Sequence, residues 1–129
     1  MASSRIMPLS GDADGSGILI TGGSSGAAHT IHTAGDDGTA TEKITIWANY
    51  DGASVPILHF EWGVSTATRQ IEVPLRALTE EATEIPGAWT LAIPGILLKS
   101  GLIIKCYATV GSGSLGNVNL HGYAEIITG

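Results

Sequence analysis

Short hydrophobic runs separated by turn residues follow one another along most of the chain. There are eight such runs, each four to eleven residues long, and Gly, Asp, Asn, Ser or Pro stands between them. This punctuation is typical of strand boundaries. The pattern therefore predicts eight β-strands, at residues 18–21, 28–33, 43–50, 55–62, 70–75, 88–93, 102–110 and 117–127. Asp51-Gly52 predicts a hairpin between the third and fourth runs, and residues 76–84 offer a weak helical alternative.

Within several runs the apolar side chains recur at every second position, which places them on one face of a strand. Sheets with one apolar face pack against each other through those faces. We therefore expect an all-β fold, a single antiparallel β-sandwich that is jelly-roll-like, over residues 18–129. Residues 1–17 are small, polar and rich in glycine, and predict a short N-terminal arm. The alternating apolar sets are Ile44, Ile46, Ala48 and Tyr50; Leu58, Phe60 and Trp62; Leu102, Ile104, Cys106, Ala108 and Val110; and Val118, Leu120, Ala124 and Ile126.

Composition agrees with this fold class and excludes several functions. Charged residues make up 14% of the 129 residues and glycines number 18, whereas a helical bundle needs many charged residues on its exposed faces. The net charge of −6 comes without any run of Lys or Arg, which argues against nucleic-acid binding. No stretch has the roughly 18 apolar residues of a membrane span, and residues 1–17 lack the apolar core of a signal peptide. The single cysteine, Cys106, excludes an intramolecular disulfide.

Several large apolar residues fall where a solitary domain would expose polar ones. Trp47, Tyr107 and Tyr123 lie on the predicted outer faces of their strands, and the arm carries an apolar patch at Ile6, Met7 and Leu9. Aromatic residues on an outer face favour contact with another chain, although loops or the second sheet of the same domain would also cover them. The six residues are our interface candidates: Ile6, Met7, Leu9, Trp47, Tyr107 and Tyr123.

Four patterns resemble chemical motifs, and none predicts a catalytic, cofactor-binding or metal site. Residues 22–26 fit G-x-S-x-G, but a strand-like sequence follows where a nucleophile elbow needs a helix. Residues 111–116 fit G-x-G-x-x-G, but a strand-like sequence follows here too, so we predict a hairpin loop in place of a cofactor site. Residues 12–17 begin like a calcium loop that lacks its final Glu and its helices. His59 and Glu61 lie two apart on one strand face, which usually means a solvated surface. We therefore predict no enzyme and no cofactor.

The order of several short pieces resembles small tailed-phage virion proteins of the head decoration, or cement, type. The pieces carry no catalytic signature and span residues 30–127. They are residues 31–34 (IHTA), 44–49 (ITIWAN), 60–63 (FEWG), 71–74 (IEVP), 91–95 (LAIPG), 102–108 (LIIKCYA) and 119–123 (NLHGY).

The resemblance implies a structural role on a virion. Proteins of this kind are small β-rich modules, often trimeric, that sit on the outer capsid lattice and hold neighbouring capsomers together. It implies the major capsid protein as partner, a homo-oligomer with a trimer favoured, and a place on the capsid surface after synthesis in the host cytoplasm. The alternative from another functional class is a carbohydrate- or receptor-binding β-sandwich on a virion or cell surface, for which Trp47 and Trp89 are the residues to test.

Overall fold

The computed structural model of the chain describes residues 3–12, 14–35, 41–52, 54–63, 69–75, 89–111 and 115–128. Every one of the eight predicted runs lies on a strand, and one further strand precedes them. The predicted helical alternative at residues 76–84 lies outside the described residues. The strands are β1 (Ser3–Pro8), β2 (Ile18–Ile20), β3 (His29–Thr33), β4 (Thr41–Tyr50), β5 (Pro56–Gly63), β6 (Arg69–Pro74), β7 (Thr90–Lys99), β8 (Ile103–Val110) and β9 (Val118–Thr128).

The strands form two antiparallel sheets, as the sequence predicts. Sheet A has five strands in the order β1-β9-β4-β7, with β2 also paired to β9, and sheet B has four in the order β3-β8-β5-β6. The pairs β2–β9, β3–β8, β4–β7 and β5–β6 are those of one long hairpin rolled into two layers. This is the jelly-roll arrangement of strands, so the predicted fold class is confirmed.

Two predicted hairpins are wrong because successive strands at these points lie in different sheets. Asp51-Gly52 connects β4 of sheet A to β5 of sheet B, and residues 111–116 connect β8 of sheet B to β9 of sheet A. The two connections meet each other instead. Asp51 accepts hydrogen bonds from the backbone N–H of Asn117 at 2.7 Å and from its side-chain amide at 2.9 Å.

The core lies between the two sheets and is built from the predicted alternating faces. From sheet A it receives Ile44, Ile46 and Leu120, and from sheet B it receives Phe60 and Ile104, all of them completely buried. Full burial of one such side chain contributes roughly 1.5–3 kcal/mol. The core therefore fixes which face of each sheet points outward.

The N-terminal segment predicted as an arm contains β1, which lies along the edge of sheet A. Ser3–Pro8 pair antiparallel with β9, in a register that sets Met7 opposite Ala124 on the inward side. The chain then crosses to sheet B, where the N–H of Gly11 donates to the carbonyl of Ile31 at 2.9 Å. Leu9 is 0% exposed at this crossing. Leu9 is thus a core residue of its own chain, which removes it from the exposed interface candidates.

Candidate interaction surface

The outer face of sheet A carries most of the large apolar side chains that the described residues expose. Because directly opposite residues of paired strands point to the same side, the register places them together: Trp47 is opposite His121 and Leu91, and Leu97 is opposite Lys43. Trp89, just before β7, reaches the same face by contacting the His121 ring. The exposed apolar residues of this face are Ile6, Leu19, Trp47, Trp89, Leu91, Leu97, Tyr123 and Ile127.

Three exposed aliphatic side chains and one tyrosine lie in one half of this face, which we call the aliphatic half: Ile6, Leu97, Tyr123 and Ile127. Ile6 and Leu97 are the most exposed, at 69% and 62%. Ile6 lies opposite Glu125, and Glu125 lies opposite Lys43 on the neighbouring strand. The opposite charges of Lys43 and Glu125 offset each other locally. The aliphatic half is therefore an apolar surface of little net charge, the kind that marks a protein contact.

The other half has a different chemistry, and its centre is a Trp–His cluster formed by Trp47, Trp89 and His121. The rings of Trp89 and His121 have centroids 6.2 Å apart and are tilted by 54°. Asn49 and Asn119 are opposite each other one step along the same two strands. Aromatic and hydrogen-bonding groups are thus interleaved here.

β9 pairs with two different strands along its outer edge, and Asp12 contacts His121 at the point between them. Residues 118–120 of β9 pair with β2, and residues from 123 onward pair with β1. The loop between β1 and β2 fills the gap between them and brings Asp12 to 3.3 Å from Nδ1 of His121. The Asp12 side chain is 1% exposed and its Oδ1 accepts the N–H of Gly17 at 2.9 Å.

The carboxylates of the segment that begins like a calcium loop take part in hydrogen bonds within the chain. Asp12 holds Gly17 and His121, and Asp14 accepts bonds from the hydroxyl and the N–H of Ser16. The Ser16 bonds lower the pKa of the Asp14 carboxyl. Both carboxylates of this loop thus serve the conformation of the turn.

Polar groups on the outer face of sheet B contact one another. His59 stacks on Tyr107 with ring centroids 4.4 Å apart, and its Nε2 lies 2.8 Å from the Thr109 hydroxyl. Its Nδ1 faces Glu72 at 3.5 Å. Glu61, which lies two residues from His59 on the same face, accepts the hydroxyl of Ser25 at 2.9 Å. No acid–base pair is assembled from His59 and Glu61.

A buried histidine–glutamate pair joins the two sheets, and the sequence reasoning missed it. Nε2 of His32 on β3 lies 2.6 Å from Oε1 of Glu42 on β4. The N–H of Ser10 donates to Nδ1 of His32, so the imidazole carries its proton on Nε2 and donates it to Glu42. The other Glu42 oxygen accepts the N–H of Gly35 at 2.5 Å. Every polar atom of this pair has a partner, which suits a structural role.

The remaining motifs supply no chemistry among the described residues. Ser24 of the G-x-S-x-G match precedes a single 3-10 turn, Ser25–Ala27, and then β3, so the helix of a nucleophile elbow is missing here. Burial raises the pKa of the Cys106 thiol far above its usual range, which makes it a poor nucleophile. Across the described ranges, no group of three His, Cys, Asp or Glu side chains is arranged to hold a metal ion. In the same ranges no helix has the length and apolarity to span a membrane.

The six interface candidates separate in the structure. Ile6, Trp47 and Tyr123 lie on the outer face of sheet A, where Trp47 and Tyr123 are 39% and 37% exposed. Met7 is turned inward and packs against the core, as does Leu9. Tyr107 lies on the outer face of sheet B, stacked on His59. The exposed candidates thus gather on one sheet.

Comparison with known proteins identifies a shared fold. No family model matches the chain, and no curated protein matches it either. A solved structure of the infectious bursal disease virus Gx strain is similar over 99% of this chain and 33% of that one, with a TM-score of 0.54 and 12% identity. A structure of infectious bursal virus-derived T=1 particles is similar over 98% of this chain and 32% of that one, with a TM-score of 0.53 and 10% identity.

This likeness concerns the β-sandwich alone, because the identities are too low to carry more. The chain spans about a third of the length of the virus chains that it matches. It therefore corresponds to one part of each of those chains.

Proposed function

We propose that this chain is a structural virion protein, a capsid decoration or cement protein that binds the outer capsid lattice and stabilises contacts between capsomers. The observation that carries the proposal is the aliphatic half of the outer face of sheet A. Its exposed Ile6, Leu97, Tyr123 and Ile127 offer a partner an apolar surface of little net charge. The jelly roll shared with chains of virus particles supports the same role.

The mechanism we propose is assembly, with no catalytic step. The major capsid protein is the partner, and the chain acts as a homo-oligomer, with a trimer as the favoured state. A symmetric oligomer presents the same contact surface several times. Modest contacts repeated on a lattice gain strength through multivalency, because each later contact forms at high effective concentration. The site of action is the capsid surface of the virion, after synthesis in the host cytoplasm.

The test measures the solution mass by light scattering and co-sedimentation with empty capsids of the major capsid protein encoded in the same genome. We expect an oligomer that co-sediments with the capsids. Ile6→Glu with Leu97→Glu places charge in the aliphatic half, so we expect it to abolish co-sedimentation or lower the solution mass.

The matched control is Val55→Glu, at a valine that is 44% exposed in the connection before β5 and outside the aliphatic half. We expect it to leave both measurements unchanged. A chain that stays monomeric and never co-sediments with the capsids contradicts the proposal. Equal loss in both variants contradicts the assignment to the aliphatic half.

A further inference from the structure

The Trp–His cluster has a composition that an apolar protein contact does not need. Trp47 and Trp89 are 39% and 46% exposed, and the His121 side chain is 51% exposed between them and Asp12. Asn49 and Asn119 add amide groups one step along the same strands. Covering this region with aliphatic side chains would remove the imidazole from water, and an unpaired polar group loses free energy on burial.

Asp12 gives His121 a defined orientation. A carboxylate only accepts hydrogen bonds, so its contact with Nδ1 requires the proton to be on that nitrogen. Asp12 is itself fixed, because it is buried and accepts the N–H of Gly17. Nε2, on the opposite side of the half-exposed ring, is then an acceptor of fixed direction in the neutral imidazole. A histidine held in this way by a buried carboxylate is suited to contact a ligand hydroxyl.

We propose that the Trp–His cluster is a binding site for one pyranose ring of a neutral sugar. An indole face packs on the apolar C–H face of a sugar ring, and His121 accepts a hydrogen bond from a hydroxyl group. Sites for small ligands combine aromatic walls with a few placed polar groups in this way. The neutral class follows from charge: Asp12 lies beneath His121, and the chain carries a net charge of −6, so an anionic sugar is repelled.

The site is independent of the proposed capsid role, because the two use opposite halves of the outer face of sheet A. Ile6 and Leu97 pair with Glu125 and Lys43, whereas Trp47 pairs with His121 at the other end of β4. Failure of sugar binding therefore leaves the aliphatic half intact, and failure of capsid binding leaves this site intact.

The test is saturation-transfer NMR on the full chain, with methyl pyranosides of glucose, galactose, mannose and N-acetylglucosamine as probes. We expect transfer to the ring C–H protons of at least one probe. Trp89→Ala, placed just outside the ladder of β7, and Trp47→Ala should each weaken that binding by about tenfold or more, the usual effect of removing an aromatic anchor.

Two controls are available. Trp62→Phe changes the third tryptophan, which packs against the core from sheet B, and Leu97→Ala changes the aliphatic half. Both should bind the probe as the native chain does.

His121→Ala should weaken binding. Asp12→Asn tests whether Asp12 positions the His121 ring, since it should weaken binding while the NMR spectrum shows that the chain stays folded. If Trp47→Ala does not fold, Trp89→Ala alone decides.

Absence of transfer to all four probes would overturn the proposal, and so would transfer that is unchanged in Trp89→Ala.

A glycan array that pairs neutral glycans with their sialylated forms tests the charge argument. Neutral glycans should bind, and binding of sialylated forms alone would overturn the assignment of a neutral sugar. Loss of oligomer mass in Trp47→Ala without any glycoside binding would assign the cluster to a protein contact and overturn the proposal too.

Discussion

The outer faces of the two sheets differ in whether their side chains contact one another or are exposed. On sheet B, His59 stacks on Tyr107, contacts Thr109 and faces Glu72, and Glu61 holds Ser25. On sheet A, aliphatic and aromatic side chains are exposed. In both sheets apolar side chains alternate along the strands and face the core between the sheets. The fold therefore does not require the two outer faces to differ. Polar groups that hydrogen-bond to one another on a sheet face need no partner chain. An exposed apolar face, by contrast, is stabilised when a partner covers it.

The largest expected effect compares two histidine–glutamate pairs, one between the sheets and one on the outer face of sheet B. Glu42→Ala removes the acceptor of His32 and Gly35 and leaves the buried imidazole N–H of His32 unpaired, so we expect a loss of about 3 kcal/mol in unfolding free energy. Glu72→Ala removes a partner of His59 that is 59% exposed and should cost less than about 1 kcal/mol. Urea unfolding measures both. Equal losses in the two variants would contradict the conclusion that Glu42 stabilises the fold by joining the two sheets.

The next effect tests the close contact of β4 and β9 on which the exposed face of sheet A is built. A Cβ atom at Gly122 would overlap the carbonyl oxygen of Thr45, so the two strands must separate to admit Gly122→Ala. We expect this variant to lose about 2 kcal/mol of unfolding free energy. Gly26→Ala is the control, because no atom lies within 4 Å of a Cβ there. A Gly122→Ala chain as stable as the control would show that β4 and β9 tolerate wider spacing.

A pair of tyrosines tests the comparison directly. Tyr107→Ala removes the stack on His59 of sheet B, and we expect a loss of about 1 kcal/mol in stability with association unchanged. Tyr123→Ala, on sheet A, should change stability by no more than about 0.5 kcal/mol but reduce oligomer mass or capsid binding. Thermal unfolding and light scattering measure the two properties. If the effects are reversed, sheet B is the contact surface.

The apolar runs and the turn residues between them were sufficient to predict eight of the strands, and alternation within several runs predicted the inward faces of sheets A and B. It missed β1, because SSRIMP has too few apolar residues to show a period. It ended the seventh strand at Pro94-Gly95, although β7 continues to Lys99 through a register shift there. Proline is tolerated in this position because β7 is an edge strand, and Gly95 adopts a φ of 133° at the irregularity.

Pairings between distant residues could not be predicted from local pattern. Period-2 alternation says which side of a strand faces the core but not in which sheet the strand lies, hence the two wrong hairpins. The register shift of β3 between Thr30 and His32 turns Ile31 and His32 both inward, which alternation excludes. The Trp–His cluster depends on the register of β4 against β9 and on the Asp12 loop, and both are set by contacts between distant parts of the chain.

The smallest expected effect concerns the link between the two connections that join sheet A to sheet B. Hydrogen bonds from the Asn117 side chain and backbone lower the pKa of Asp51 below 3.8. A carboxyl whose pKa is lower in the folded state stabilises the fold above its unfolded pKa and loses that contribution as pH falls through the folded value. Asp51→Asn should therefore melt slightly below the native chain at neutral pH, and the difference should shrink as pH falls through the folded pKa of Asp51. The melting temperature of both chains across this range is the measurement. Asp14→Asn is a comparison within a single turn, because the Ser16 bonds lower the pKa of Asp14 as well, so its difference from the native chain should also shrink as pH falls. A difference between native and Asp51→Asn chains that stays constant down to the lowest pH would mean that the carboxylate charge plays no part in holding the two connections together.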